Sequence, residues 1–332
     1  MRVTVLGAGS WGTTVAALAC GRNPTVLWAR SPEVAKSINE TRENATYLSG
    51  FTLPKRLEAT SDIEEAVTGA ELLVVGVPSH GFRDTLELAA PHVHPWIPVV
   101  SLTKGFEQGT LLRMTQVIQE VLPGRPAAAL SGPNLAKEIM AGHAAASVIA
   151  TEDLAVANAL QKVLSRGLFR IYTNHDVIGC EVGGALKNVI AIATGIAQGL
   201  SVGDNTRAAV ISRGLAELSR LGAAMGAEPA TMAGLAGMGD LIATCVSPLS
   251  RNRTVGERLG QGERIEDIIA SMSMVAEGVK TASTVVQLAE RYGVDLPICT
   301  EIHRVVTGQA SAPDAYRGLL RAHAAGHESG LV

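Results

Sequence analysis

The strand Arg2-Val3-Thr4-Val5-Leu6 runs straight into Gly7-Ala8-Gly9-Ser10-Trp11-Gly12, and an apolar helical stretch, Thr13 to Cys20, follows at once. That order of strand, glycine-rich turn and helix leaves few folds open. The first glycine permits a tight turn, the second lets the backbone approach a pyrophosphate, and the third lets the helix pack closely on its strand, with the helix N-terminus facing the anion. The spacing by itself arises by chance in glycine-rich chains, and this chain has 35 glycines. Its context supplies what the motif lacks, because a second apolar strand, Thr25 to Trp28, follows at βαβ spacing. The expectation is a dinucleotide site built on Gly7, Gly9, Ser10, Trp11 and Gly12. The plain alternative is an ordinary strand-to-helix turn.

With 332 residues the chain exceeds one compact domain, and its pattern changes near the middle. Apolar runs at Leu72 to Val77, Val99 to Leu102, Ala127 to Ser131, Ser147 to Ala150 and Phe169 to Thr173 alternate with helix-like stretches. They predict an α/β domain over residues 1–174, a Rossmann-type doubly wound, mostly parallel sheet covered on both faces. After Asn174 the period becomes helical, over Asp176 to Gly199, Asn205 to Met225, Glu257 to Met272 and Glu277 to Tyr292. Residues 175–332 are therefore expected to form an all-α domain, broken by glycine-rich stretches at Gly199 to Asp204 and Gly234 to Gly256 and ending in a frayed tail.

A formal charge of −3 leaves no broad basic surface, so nucleic acid is not an expected partner and any phosphate must be met by a few placed cations. The scattered Cys20, Cys180, Cys245 and Cys299 form no C-x-x-C pair, and His92 and His94 have no third partner, so no metal is expected. Absence of a signal-like N-terminus and of an uninterrupted membrane-length apolar run leads to the expectation of a cytoplasmic protein without stable membrane insertion. The alanine-rich helical half suits a homodimer surface.

Ligands of doubly wound sheets lie beyond the carboxyl ends of the strands, which directs attention to the residues there. Arg30 stands where NAD-binding chains usually place an acid. A cation suits a 2′-phosphate, so NADP(H) is the expected cofactor, with NAD(H) as the alternative; Arg30 as a simple strand-end residue is the plainer reading. Lys104 follows a strand and precedes Gly105, at the sheet edge where its ammonium reaches a ligand or merely solvent. Ser131-Gly132-Pro133-Asn134-Leu135-Ala136 reads as a strand-to-helix turn with N–H groups to offer, or as no more than a well-capped helix.

Lys187 sits in Glu181-Val182-Gly183-Gly184-Ala185-Leu186-Lys187-Asn188, on an otherwise apolar helix. Burial of its charge needs a partner or a purpose, and a proton-exchanging amine is such a purpose; a solvated helix stripe is the other reading. Gly237-Met238-Gly239-Asp240 and Ser250-Arg251-Asn252-Arg253 follow. The second run offers hydroxyl, amide and bidentate guanidinium donors suited to a phosphate, unless it is a flexible surface loop. Glu277 is a first-turn acid or a ligand contact.

Taken in order, these segments resemble the bacterial type of NAD(P)-dependent glycerol-3-phosphate dehydrogenases over nearly the whole chain. The resemblance implies a helical domain like the C-terminal domain of 6-phosphogluconate dehydrogenase, and reduction of dihydroxyacetone phosphate to sn-glycerol 3-phosphate for glycerophospholipid synthesis. It implies cofactor contacts at Ser10, Trp11, Arg30, Lys104, Ala136, Arg251, Val275 and Glu277. Substrate contacts are implied at Lys104, Gly132, Asn134, Lys187, Asp240, Ser250, Arg251 and Asn252, with Lys187 exchanging the proton, Lys104 stabilising charge and Asp240 orienting. Asn134 departs from the pattern, which expects serine or threonine there. On the residues alone, a β-hydroxyacid-type dehydrogenase of the same architecture and a non-catalytic dinucleotide sensor remain open.

Overall fold

Strands β1 (Val3–Leu6), β2 (Thr25–Trp28), β3 (Leu57–Thr60), β4 (Leu72–Val75), β5 (Val99–Ser101), β6 (Ala127–Ser131), β7 (Ala145–Ala150) and β8 (Phe169–Asn174) form one sheet in the order 3-2-1-4-5-6-7-8. The computed structural model describes residues 1–272, 274 and 276–322. Val275 and the expected frayed tail from residue 323 lie outside the described residues. One compact unit comprises Met1–Glu107 and Leu112–Val177; the other begins at Ile178 and includes the short segment Gln108–Leu111.

In the first unit, β1 to β6 are mutually parallel, with Val3 level with Thr25 on one side and Leu72 on the other. The pair β6–β7 is antiparallel, and β8 runs parallel to β7 at the edge. Alternate residues of the central strands feed two separate cores: Val3, Val5, Leu72 and Val74 one, Leu6, Leu73 and Val75 the other. This two-sided burial is why these strands read as continuous apolar runs. Strand β3 does not, because it is an edge strand whose Glu58 is exposed.

Helices α1 (Ser10–Ala19), α2 (Pro32–Thr41), α3 (Ile63–Val67), α4 (Phe82–Ala89), α5 (Met114–Val121), α6 (Ala136–Met140) and α7 (Leu154–Leu164) cover the sheet. Val15, Val34, Ile38, Ile139 and Leu160 from α1, α2, α6 and α7 fill one core. Ala66, Phe82, Leu86, Met114 and Ile118 from α3, α4 and α5 fill the other. The doubly wound arrangement follows directly.

The second unit is helical: α8 (Val177–Gly199), α9 (Asp204–Ala224), α10 (Pro229–Ala233), α11 (Asp240–Val246), α12 (Arg251–Gly260), α13 (Ile265–Ala270), α14 (Glu277–Tyr292), α15 (Pro297–Val306) and α16 (Ala312–Ala322). Helix α8 is buried without interruption from Gly179 to Ala197. By length and composition it could cross a membrane, but Glu181 and Lys187 interrupt its apolar run, and 89% of the apolar window is buried inside the chain, as in a core helix.

Two expectations are corrected. The helix read over Glu257 to Met272 is two helices, α12 and α13, separated by a turn in which Gly262 takes φ 92°. The glycine-rich break read from Gly234 to Gly256 is mostly helical, with a π-helical turn at Leu235–Gly239 leading into α11 and then α12. Glycines there serve close helix contact rather than looseness. At Gly195 of α8 a Cβ would stand 2.1 Å from the Arg253 carbonyl oxygen of α12. The same Cβ would stand 2.9 Å from the Cα of Gly256, so a glycine on each helix faces the other where the backbones approach.

Candidate functional site

The glycine-rich turn joins β1 to α1. Gly7 has φ 111°, and a Cβ on it would lie 2.8 Å from the Gly76 carbonyl; a Cβ on Gly12 would lie 2.0 Å from the Gly7 oxygen. Protein packing therefore demands both. Gly9 is different, since its Cβ would meet nothing within 4 Å. Gly9 is also the N-cap of α1 and gives the first helical N–H groups no side-chain acceptor, and no acid lies in the first turn. Space beside the backbone and a helix N-terminus free of negative charge are what a pyrophosphate requires.

Ser10 donates its hydroxyl to the Tyr47 carbonyl at 2.5 Å. Trp11 packs edge-on to Phe169 with ring centroids 5.8 Å apart, and its buried Nε1–H has no acceptor among the described residues. Arg30 is exposed beyond β2. Capping of α2 falls to Ser31, which accepts from Val34 N–H at 3.3 Å, so Arg30 is not used for that purpose.

Lys104 lies beyond β5, within the same unit. Its ammonium donates to the Gly132 carbonyl at 2.9 Å and to Asn134 Oδ1 at 2.6 Å. The solvated-lysine reading fails at this position. Asn134 spends its oxygen on Lys104, while its buried Nδ2 has no acceptor among the described residues. An amide donor left over beside a cation fits an oxygen-bearing ligand. Gly132 turns the chain with φ 128°, and Ala136 opens α6 after Leu135, an N-cap without a side-chain acceptor.

In the second unit Lys187 is 6% exposed on α8, which removes the solvated-stripe reading. It forms an ion pair with Asp240 Oδ1, and Asp240 is 1% exposed at the start of α11. Lys187 also donates to Thr244 Oγ1 at 2.8 Å, one turn further along α11. Thr244 passes its own proton to the Asp240 backbone carbonyl at 2.7 Å, so its hydroxyl must accept from the lysine. Two contacts on one helix thus aim one amine.

Next along α8, Asn188 Oδ1 accepts from Asn252 Nδ2 at 2.9 Å, and Asn252 Oδ1 accepts from Gly278 N–H at 2.9 Å. This amide chain ties α8, α12 and the start of α14 together. Ser250 is the N-cap of α12, accepting from Arg253 N–H at 3.3 Å. Ser250-Arg251-Asn252 is accordingly a helix N-terminus rather than a flexible loop, which adds the helix's own N–H groups to an anion site. Arg251 is exposed as a residue, yet the protein around its guanidinium desolvates it enough to lower its pKa, and Glu277 at the head of α14 opposes that.

The expected residues thus fall into groups. Gly7, Gly9, Ser10, Trp11 and Gly12 share one turn, and Lys104, Gly132 and Asn134 share a second cluster of the first unit. Lys187 and Asp240 are paired in the second unit, where Ser250, Arg251 and Asn252 share one helix start. Thr244 and Asn188 have no role assigned in the sequence analysis. Thr244 is four residues from Asp240, and Asn188 extends a polar pair on an apolar helix; those spacings were the available signals. Among the described residues no group of His, Cys, Asp or Glu could hold a metal.

Comparison with known proteins adds an independent line. Residues 2–157 match the family model described as NAD-dependent glycerol-3-phosphate dehydrogenase N-terminus, and residues 176–317 match its C-terminus counterpart. The chain is 57% identical over 321 residues to glycerol-3-phosphate dehydrogenase NAD(P)+ 2 of Sphingopyxis alaskensis, covering 97% of this chain and 96% of the relative. To the corresponding enzyme of Mycobacterium avium it is 52% identical, covering 98% and 96%. Among solved structures, the glycerol-3-phosphate dehydrogenase of Coxiella burnetii superposes with TM-score 0.92 at 33% identity, covering 96% of this chain and 98% of that one.

Proposed function

The chain belongs to the NAD-dependent glycerol-3-phosphate dehydrogenase family, and from that premise we propose how its residues divide the work. It is an oxidoreductase that uses a nicotinamide cofactor to interconvert dihydroxyacetone phosphate and glycerol 3-phosphate. The product is assigned as sn-glycerol 3-phosphate feeding glycerophospholipid synthesis, in a homodimer. Four buried cysteines that form no disulfide suit a reducing cytoplasm.

The cofactor is held through the N–H groups at Gly9, Ser10 and Trp11, with Arg30 facing a 2′-phosphate and favouring NADPH. Support comes from the open Cβ position of Gly9 and from the Trp11 indole, which has no acceptor among the described residues; both fit such a ligand. Ala136, Arg251, Val275 and Glu277 complete its assigned contacts. Bound, it supplies the hydride for the carbonyl carbon.

Lys187 donates a proton to the carbonyl oxygen as it becomes an alkoxide, and in the reverse direction the neutral amine takes it back. The observation that carries this reading is the burial of Lys187 between Asp240 and Thr244, which fixes one N–H by ion pairing and another by hydrogen bonding. Asp240 orients the amine. Lys104 stabilises developing negative charge, with Asn134 holding it in place and offering Nδ2 to a substrate oxygen. Ser250, Arg251 and Asn252 hold the phosphate at the start of α12, with Gly132 lining the substrate.

The test follows nicotinamide absorbance with purified protein and dihydroxyacetone phosphate, against the unphosphorylated ketone. Oxidation that requires the phosphate is expected. NADPH and NADH efficiencies within about threefold of each other would remove the role given to Arg30.

A further inference from the structure

Asn44 lies in the loop between α2 and β3, far in sequence from the glycine-rich turn, yet it is 1% exposed and fully engaged with that turn. Its Nδ2 donates to the Ala8 carbonyl at 2.8 Å and to Thr13 Oγ1 at 2.8 Å. Its Oδ1 accepts from Tyr47 N–H at 3.2 Å, and its own carbonyl accepts from Leu48 N–H at 2.8 Å. The side chain therefore closes a small turn, 44–48, and bridges the strand side and the helix side of the glycine-rich turn. Tyr47 completes the clasp by accepting the Ser10 hydroxyl.

One peptide plane makes this arrangement consequential. Ala8 C=O and Gly9 N–H belong to the same trans peptide and point in opposite directions. Holding Ala8 oxygen toward Asn44 therefore aims Gly9 N–H away from the loop. Gly9 is the residue with open space beside it and the N-cap of α1. Among the described residues the side chain that holds the Ala8 carbonyl is that of Asn44, so the orientation comes from outside the motif.

We propose that Asn44 is a positioning residue for cofactor binding, with the 44–48 turn acting as a clasp that presets the Gly9 and Ser10 N–H groups for a dinucleotide pyrophosphate. The inference rests on the assignment of the glycine-rich turn to the cofactor. It places Asn44 behind the backbone that meets the ligand, so its effect falls on cofactor affinity and not on the proton or hydride step.

The experiment titrates NADPH into the full-length protein, following tryptophan fluorescence, and pairs this with steady-state kinetics. Saturable binding by the unaltered protein, weakened by Gly9→Ala, establishes the cofactor assignment separately; its absence would defeat that assignment and the clasp with it. Asn44→Ala is expected to raise the NADPH Kd about tenfold or more, by leaving the Ala8 carbonyl unpaired, while kcat at saturating NADPH and KM for dihydroxyacetone phosphate stay within about twofold. Thr13→Val keeps the shape and removes one of the two anchors, so a rise of about threefold is expected. A purely packing role would lower Tm without moving the NADPH Kd of the folded protein. An unchanged Kd in Asn44→Ala, or a fall in kcat in its place, overturns the proposal. Should Asn44→Ala fail to fold, an unchanged Kd in Thr13→Val overturns it equally.

Discussion

Gly256 on α12 approaches Ile192 on α8 so closely that a Cβ on the glycine would stand 2.0 Å from the Ile192 carbonyl oxygen. The contact involves backbone, which cannot rotate away as a side chain can. It seats the helix that begins with Ser250-Arg251-Asn252 against the helix that carries Lys187 and Asn188. Gly256→Ala is therefore expected to destabilise the protein by about 1–3 kcal/mol or more, read from denaturant unfolding. It should also raise KM for dihydroxyacetone phosphate, because the start of α12 moves. Unaltered unfolding would mean that the two helices separate at little cost.

Gly9 makes the opposite case. Its φ of −68° is open to any residue, and no protein atom lies where a Cβ would go. Gly9→Ala is expected to leave Tm unchanged within about a degree, while raising KM for the cofactor at least about tenfold as the methyl occupies the pyrophosphate's place. Equal cofactor kinetics in the variant would show that the ligand's backbone contact lies elsewhere.

These two glycines also mark what sequence could and could not show. Strands buried on both faces announced themselves as apolar runs, and Gly7, Gly9 and Gly12 were legible because a strand and helix flank them. Edge strand β3 was silent, since half its residues face solvent. Between Gly234 and Gly256 glycine content pointed to loop, yet a Cβ on Gly237 would stand 2.1 Å from the Met232 oxygen, so that glycine is there for contact. Composition cannot separate a glycine that frees the backbone from one that admits a neighbour. Lys187 was visible as a charge on an apolar helix. Its aim depends on Thr244, 57 residues away in sequence, whose one mark is its place four residues after Asp240.

Lys187, Asp240 and Thr244 lead to a graded expectation. Lys187→Ala removes the proton donor and should lower kcat more than about tenfold. It also leaves Asp240 buried without its cation, so a loss of about 3–5 kcal/mol in stability is expected alongside. Thr244→Val keeps the ion pair and removes one aiming bond, so kcat should fall less, by about tenfold, with little change in Tm. Comparable kcat values for Thr244→Val and the unaltered enzyme would confine aiming to Asp240.

Glu217 offers a pH-dependent test remote from the chemistry. Its carboxyl, 1% exposed on α9, accepts from the N–H groups of Ile298 at 2.6 Å and Cys299 at 3.1 Å at the start of α15. Desolvation raises its pKa above the ordinary 4.5, and those two backbone donors offset the rise only in part. Between the unfolded value and the raised folded one, the native state holds more protons than the unfolded chain. Stability from this group is thus full below the unfolded pKa and declines as pH rises through the folded pKa. Glu217→Gln keeps an acceptor for α15 and removes the titration. Unfolding free energies across that window should fall more steeply with pH for the unaltered protein than for the variant. Parallel pH profiles would mean that the backbone donors cancel the cost of burial, leaving the carboxylate as easily charged when folded as when unfolded.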